Sequence, residues 1–418
     1  MSTDKVYNSI EDVLDIAESA EGKTVGEFDI NNRLDSRGNK GGIGQVLEEG
    51  LFKMAVNSRA EADFVDLGLE LKVTAIKENK KNDFSAKERL VLNIINYEED
   101  YKDSFEESSF WQKNKNLLII FYLYKDELEK KDFPIIKSVL HNFDPVDLEI
   151  IKQDWQTIID KIKAGEAHNI SEGDTMYLAA CTKGANAKSI RKQPFSNIPA
   201  KQRAFSLKSS YMSAFARRVI DRQLIPSLFN VDELKSKTTL QLLQERFAPY
   251  IGKRVSEIAK LMEIPVSTNK AFNANLISAI LGVKGTKLET LREFNKANIK
   301  FKTIRLEPDG IPCEHMSFEQ IDFNRWIKDD WEYSQLYENF EYTKYLFVVF
   351  QLEEGVQLIP RGRGISNNLP GSKFNGVCHI RPKGRNGNDK ISLPDGQKIT
   401  RQCYWLNKEF IAEVVKDI

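Results

Sequence analysis

Asp63-Phe64-Val65-Asp66-Leu67-Gly68-Leu69-Glu70-Leu71-Lys72 sets the frame for the whole chain. Its second half alternates apolar and charged residues, the pattern of a strand with one face toward a core. Gly68 marks a turn before that strand. On a strand, residues two apart share a face, so Glu70 and Lys72 point the same way. Asp63 precedes the turn and can return toward them.

The chain contains a second version of this stretch. Glu293-Phe294-Asn295-Lys296-Ala297-Asn298-Ile299-Lys300-Phe301-Lys302 lies 230 positions later. At the same offset, Gly22-Lys23-Thr24-Val25-Gly26-Glu27-Phe28 matches Gly252-Lys253-Arg254-Val255-Ser256-Glu257-Ile258, and Leu47 matches Ile277. Later runs pair at smaller offsets: Leu117-Leu118-Ile119-Ile120-Phe121 with Leu346-Phe347-Val348-Val349-Phe350, Lys183-Gly184-Ala185-Asn186 with Lys383-Gly384-Arg385-Asn386, and Phe205-Ser206-Leu207-Lys208 with Tyr404-Trp405-Leu406-Asn407. The order is kept throughout, which indicates a duplicated domain rather than a short-period solenoid. Pro226 interrupts a helical pattern, so the expected division is 1–226 and 227–418. Each half reads as a helix near Gly44–Phe52 (Asn273–Gly282 in the second), strands near Leu69–Ala75 and Leu117–Tyr124, and further helices and a basic loop. That mixture predicts an α/β (α+β mixed) class, each half with a central mixed sheet flanked by helices.

Composition bounds the setting. The chain has 418 residues, 41% hydrophobic and 29% charged, with 61 basic and 61 acidic side chains. A balanced total means that any nucleic-acid surface comes from uneven distribution of charge. Cys181, Cys313, Cys378 and Cys403 have no metal-clip spacing and suggest a reducing, cytoplasmic setting. The first residues lack a signal-peptide pattern, and the apolar run Leu117–Leu123 is too short to span a bilayer, so no membrane association is expected. His141, His168, His315 and His379 are isolated and read as structural.

The polar residues of the opening stretch suggest chemistry. A hard divalent ion such as Mg²⁺ takes carboxylate oxygens and waters. Asp63 and Glu70 suit it, and Lys72 suits the orientation of a water or neutralisation of developing charge at a phosphate. Glu48, at the end of an apolar helical stripe, is a third candidate carboxylate, although Glu49 beside it fits the pattern equally. A solvent-exposed strand with an ordinary charge pair is the plain alternative. The duplicate argues for chemistry: Ser278, Glu293 and Lys300 stand at the places of Glu48, Asp63 and Glu70, while Lys302 matches Lys72. The polar cluster changed where the hydrophobic frame did not.

From Thr175 to Ile220 there is no Asp or Glu, yet Lys183, Lys188, Arg191, Lys192, Lys201, Arg203, Lys208, Arg217 and Arg218 fall there. Such a stretch is the footprint of phosphate contact. Within it, Thr182-Lys183-Gly184-Ala185-Asn186 offers groups that read base edges. The second half repeats the theme: Gly355–Asn388 has no acid and includes Arg361, Arg363, Lys373, Arg381, Lys383 and Arg385, with Asn386 in the matching loop.

These residues together resemble the MutH family. The resemblance rests on Lys40-Gly41-Gly42-Ile43-Gly44 with Leu47-Glu48, on Asp63-Phe64, on Gly68 to Lys72 and on Lys183 to Lys188. The runs Lys87–Tyr97 and Lys201–Ser209 resemble the two-domain type II restriction branch that cuts at GATC. The resemblance implies two tandem MutH-like restriction-endonuclease folds, the first catalytic and the second an inactive DNA-binding effector domain. It implies Mg²⁺-dependent hydrolysis of duplex DNA 5′ of the G, with Mn²⁺ able to substitute. Catalytic positions then fall on Glu48, Asp63, Glu70, Lys72 and Lys113, with Glu48, Asp63 and Glu70 as metal ligands. DNA contacts fall on Thr182, Lys183, Gly184, Ala185, Asn186, Lys188, Arg191 and Lys208, and in the second half on Arg381, Lys383, Arg385 and Asn386. One intact centre per chain and a palindromic site imply either two chains at one site, as a DNA-induced homodimer, or two successive nicks. A cognate DNA methyltransferase is the implied functional partner. A repair nickase and a non-enzymatic DNA-binding protein are the rival functions.

Overall fold

The computed structural model describes residues 6–35, 41–56, 61–79, 83–184, 189–269, 271–328, 331, 334–352 and 377–416. It divides into two compact units. The first comprises 1–266 and 276–298, the second 267–275 and 299–418.

In the first unit, α1 (Ile10–Glu18) is capped by Ser9, whose hydroxyl accepts the Asp12 N–H at 3.1 Å. Helix α2 (Gly42–Gly50) follows. Strands β1 (Glu70–Glu78), β2 (Phe84–Ala86), β4 (Asn116–Leu123) and β5 (Ile135–Asn142) form one mixed sheet in the order β2-β1-β4-β5. β1 and β4 are parallel, and Glu70 pairs with Leu117. β4 is the long apolar run, buried because helices and neighbouring strands leave it no wet face. β3 (Leu90–Ile94), β6 (Leu178–Thr182) and β9 (Arg203–Leu207) form a second, antiparallel sheet in the order β3-β9-β6. Between β6 and β9 stands a hairpin, β7 (Ile190–Gln193) with β8 (Ser196–Lys201). Helices α3 (Ser109–Asn114), α4 (Pro145–Lys163) and α5 (Ser209–Ile220) complete the first half of the sequence.

One face of the first sheet packs on the early helices. Val13 and Ala17 of α1, Val46 and Leu47 of α2, Leu69, Leu71, Leu118 and Ile120 share one buried cluster. Each such aliphatic side chain contributes about 1.5–3 kcal/mol by leaving water. Gly50 is required by this packing: a Cβ there would lie 1.8 Å from the Phe28 carbonyl oxygen.

Short helices α6 (Val231–Ser236), α7 (Thr239–Phe247) and α8 (Val255–Leu261) precede α9 (Phe272–Ile280) and α10 (Arg292–Lys296). In the second unit β10 (Ile299–Leu306) pairs parallel with β12 (Lys344–Gln351). β11 (Met316–Gln320), β13 (Cys378–Pro382) and β16 (Gln402–Leu406) form a sheet ordered β11-β16-β13. β14 (Lys390–Ser392) and β15 (Lys398–Thr400) form a hairpin. These pairings repeat part of the first unit: β1/β4 with β10/β12, β3-β9-β6 with β11-β16-β13, β7/β8 with β14/β15, while β2 and β5 have no counterpart among the described residues.

The compact units do not follow the expected 226/227 division. Residues 276–298 match the first half in sequence but pack within the first unit. Arg292 donates its backbone N–H to Pro226 O at 2.8 Å and pairs with Asp144 at 2.7 Å. Lys296 forms a buried ion pair with Asp147, and Ser210 Oγ donates to Lys296 O at 2.6 Å. These bonds tie α10 to the first half of the chain more firmly than chain order suggests.

Candidate active site

Two reciprocal hydrogen bonds close the opening stretch on itself. After Phe64 the chain makes a 3-10 turn, Val65–Leu67, ended by Gly68 in the left-handed conformation at φ 56°. The backbones of Phe64 and Leu69 then bridge. The Asp63 N–H donates to Glu70 Oε2 at 3.1 Å, and the Leu71 N–H donates to Asp63 Oδ2 at 3.0 Å. Asn116 Nδ2 steadies the turn by donating to Gly68 O at 3.3 Å. Asp63 thus returns to Glu70 although it stands seven positions earlier in the chain.

Two lysines converge on the same carboxylate. Lys72 Nζ donates to Glu70 Oε1 at 2.7 Å, as the strand spacing predicts. Lys113 Nζ, from the last turn of α3, lies 3.6 Å from the same oxygen. The parallel register explains this: Glu70 sits opposite Leu117, so the helix entering β4 ends beside the start of β1. Glu70 is only 2% exposed, and these two lysines are its ion-pair partners.

Helix α2 supplies the third carboxylate. Leu47 is in the core, and Glu48 is turned from it by one helical step toward Asp63 and Glu70. Burial, then the neighbouring charges of Asp63 and Glu70, push the Glu48 carboxyl up to about 7, against the pull of Lys72. Burial and the Glu70 charge push Asp63 up to about 6. Glu49 has another role: Arg33 grips both of its oxygens at 2.5 Å, and Asn31 adds a bond at 3.0 Å. Glu49 is thus bonded to Arg33 and Asn31, while Glu48 faces Asp63 and Glu70.

Among the described residues, no three His, Cys, Asp or Glu side chains close into an all-protein metal cage. Mg²⁺ does not ask for one: it binds through one or two carboxylates, keeping waters and substrate oxygens as its other ligands. Asp63 and Glu70, with Glu48 beside them, are hard oxygen donors. The upward shifts of Glu48 and Asp63 reflect burial and crowded negative charge, which a divalent cation would relieve.

The expected DNA contacts divide. Thr182, Lys183, Gly184 and Arg191 are exposed on and after β6. Ala185, Asn186 and Lys188 lie outside the described residues. Lys208 is a correction: it is 6% exposed and donates to Thr175 O at 2.5 Å, so its charge serves the interior. Arg203 is likewise buried and donates to Ala180 O at 2.6 Å. A count of cations along a sequence cannot separate those that face water from those that satisfy carbonyls.

The second copy has Lys300 at the place of Glu70 and keeps Lys302 at the place of Lys72. Lys300 lies 3.5 Å from Glu319, and Lys302 donates to Ser317 O at 3.0 Å. Glu293, at the place of Asp63, is fully buried and accepts from Ser227 Oγ and from the Leu228 and Phe229 N–H groups. Arg381 and Lys383 stack over Trp405 at 5.0 and 5.5 Å. Arg385 and Asn386 are exposed in the loop after β13. Arg361, Arg363 and Lys373 lie outside the described residues.

Residues 52–154 match the family model described as DNA mismatch repair enzyme MutH, which spans Asp63, Glu70, Lys72 and Lys113. The chain is 33% identical to the type II restriction enzyme Sau3AI of Staphylococcus aureus, covering 96% of this chain and 97% of that protein. It is 25% identical to the DNA mismatch repair protein MutH of Shewanella woodyi over 46% of this chain and 82% of that one. For MutH of Serratia proteamaculans the values are 26%, 48% and 90%.

Proposed function

This chain belongs to the MutH-like type II restriction endonucleases, site-specific deoxyribonucleases that act on DNA, and we propose that it hydrolyses duplex DNA at 5′-GATC-3′, 5′ of the G, with Mg²⁺ as cofactor. The observation that carries this is the closed Asp63–Glu70–Lys72 cluster with Lys113 at its edge. Asp63 and Glu70 would hold the metal, with Glu48 as the third carboxylate; Mn²⁺ would substitute. When bound, the ion supplies Lewis-acid polarisation of the scissile phosphate. Lys72 supplies positive charge where the pentavalent phosphate gathers negative charge. Lys113, 3.6 Å from Glu70 Oε1, helps hold that carboxylate in place. Lys183 and its loop, with Arg191, hold the duplex against this cluster.

Residues 1–226 form the catalytic half and 227–418 an inactive half that binds DNA as an effector. The changes at Ser278, Glu293 and Lys300 support that division, as do Arg381, Lys383, Arg385 and Asn386. Each chain carries one intact cluster, so cutting both strands of a palindrome calls for two chains assembled on DNA. Among the described residues no helix is long and apolar enough to cross a membrane. A cytoplasmic enzyme working beside a cognate DNA methyltransferase fits this reading.

The test is incubation of the protein and Mg²⁺ with DNA of known sequence, followed by mapping of the ends. Glu70→Ala and Lys72→Ala should lose cleavage and keep binding; undiminished cutting by either would remove the assigned site. Plasmids with two GATC sites should be cut faster than plasmids with one, and equal rates at low enzyme concentration would remove the effector role.

A further inference from the structure

The hairpin β7–β8 exposes the wrong residues for a structural ribbon. Ile190 is 49% exposed, Ile198 54% and Phe195, at its tip, 68%. Single exposed aliphatics need no explanation, but three exposed apolar side chains on one short hairpin call for one. Around them stand the exposed cations Arg191, Lys192 and Lys201. Ile190 is the cross-strand partner of Lys201, which places an aliphatic and a cation on one face.

The repeat shows the ordinary version of the same hairpin. Lys390 pairs across its ribbon with Thr400 as Ile190 pairs with Lys201, so the offset is 200 on the first strand and 199 on the return strand, and Lys390 and Gln397 take the places of Ile190 and Ile198. Both are exposed, and Ile391 and Ile399 pack on the core of their unit. The first hairpin therefore presents isoleucine to solvent where the same ribbon elsewhere in this chain presents polar side chains.

The ribbon is also held rigidly. At its open end the Lys183 N–H donates to Gln202 O at 2.8 Å, and the Gln202 N–H to Ser189 O at 2.9 Å, so it adjoins the loop that begins at Lys183. At its closed end buried Gln193 accepts the Ala167 N–H at 2.8 Å and donates to Ile198 O at 2.5 Å. Gly165 takes φ 73°, and a Cβ there would meet Phe195 O at 2.6 Å, so the tip rests on the end of α4. Phe195 meets Tyr101 edge to face. A ribbon pinned at both ends cannot fold its isoleucines away.

We propose that this ribbon lies in the major groove beside the recognition sequence and sets Ile190 and Ile198 against thymine methyl groups, giving the enzyme a preference among flanking sequences. The inference rests on the function proposed above. A two-stranded ribbon fits the major groove, and the thymine methyl is the one apolar feature there. Lys192, Lys201 and Arg191 match the phosphates on either side, and no acid from Thr175 to Ile220 opposes them.

The test uses the full chain, Ca²⁺ and a duplex with one GATC flanked by A·T pairs. Ile190→Ala/Ile198→Ala should bind about tenfold more weakly at every salt concentration, with the slope of log K against log salt unchanged. Deoxyuridine in place of the flanking thymines should weaken the wild type and leave the variant unaffected. Ile190→Lys/Ile198→Gln, the repeat's own pattern, should fold, bind with a steeper salt slope and ignore the thymine methyl. Binding of the alanine variant within twofold of wild type, or equal loss of both proteins on the deoxyuridine duplex, would overturn the proposal. If the wild type neither binds nor cuts GATC duplexes, the underlying function fails instead.

Discussion

Arg33 grips both carboxylate oxygens of Glu49, and this bond leaves Glu48 alone on α2 to face Asp63 and Glu70. Two adjacent glutamates thereby have different tasks. Glu48→Gln should reduce cleavage at least about a hundredfold by weakening the metal site while leaving the thermal midpoint near wild type. Glu49→Gln should cost about 1 kcal/mol of stability, since the pair with Arg33 is partly solvent-screened, and leave the cleavage rate within a few fold. Single-turnover rates and thermal melts of the two variants check this; equal rate losses would show that the two glutamates share one role.

Protons and metal ions compete for the same oxygens. The carboxyls of Glu48, pushed up to about 7, and Asp63, pushed up to about 6, hold protons that an ion must displace. Affinity for Ca²⁺, measured by calorimetry, should therefore rise between pH 5.5 and 7.5 and level off above 8. The effect on the metal-free fold has the opposite sign. A carboxyl whose folded pKa is raised binds more protons folded than unfolded, so its contribution falls as pH rises from about 4 to 7. Added Ca²⁺ should raise the melting temperature clearly at pH 7.5 and little at pH 5. An affinity constant across that range would place the ion elsewhere.

Lys183 and Lys208 belong to one acid-free stretch but face opposite ways. Lys183 is exposed, whereas Lys208 is buried on the Thr175 carbonyl and near Asp154. Lys183→Ala should weaken DNA binding and lower the salt slope by about one. Lys208→Met should cost roughly 1–3 kcal/mol of stability by leaving a buried carbonyl unpaired, with the salt slope of the folded protein unchanged. A changed slope for Lys208→Met would restore it to the DNA surface.

Glu293 and Asp63 occupy matching places in the repeat and should fail differently. Glu293 is fully buried, and its oxygens accept the Leu228 and Phe229 N–H groups. Glu293→Gln should lose roughly 1–3 kcal/mol of stability and keep its cleavage rate at low temperature. Asp63→Asn should melt normally and not cut. Loss of cleavage by folded Glu293→Gln would give the second copy a part in the chemistry.

The division between what was legible and what was not follows from the range of the interactions. Strand alternation placed Glu70 and Lys72 on one face, and the repeat singled out Glu48, Asp63 and Glu70, because periodicity and spacing act over a few residues. The shared strand pairings of the two units were also implicit in the repeated hydrophobic runs. Tertiary structure alone decided the rest. It assigned Arg33 to Glu49, and it buried Lys208 and Arg203 on carbonyls. It drew α10 into the first unit through Lys296 and Asp147, and it turned Ile190 and Ile198 outward. Each depends on a partner far along the chain, and a charged or apolar side chain has no fixed role until burial and that partner are known.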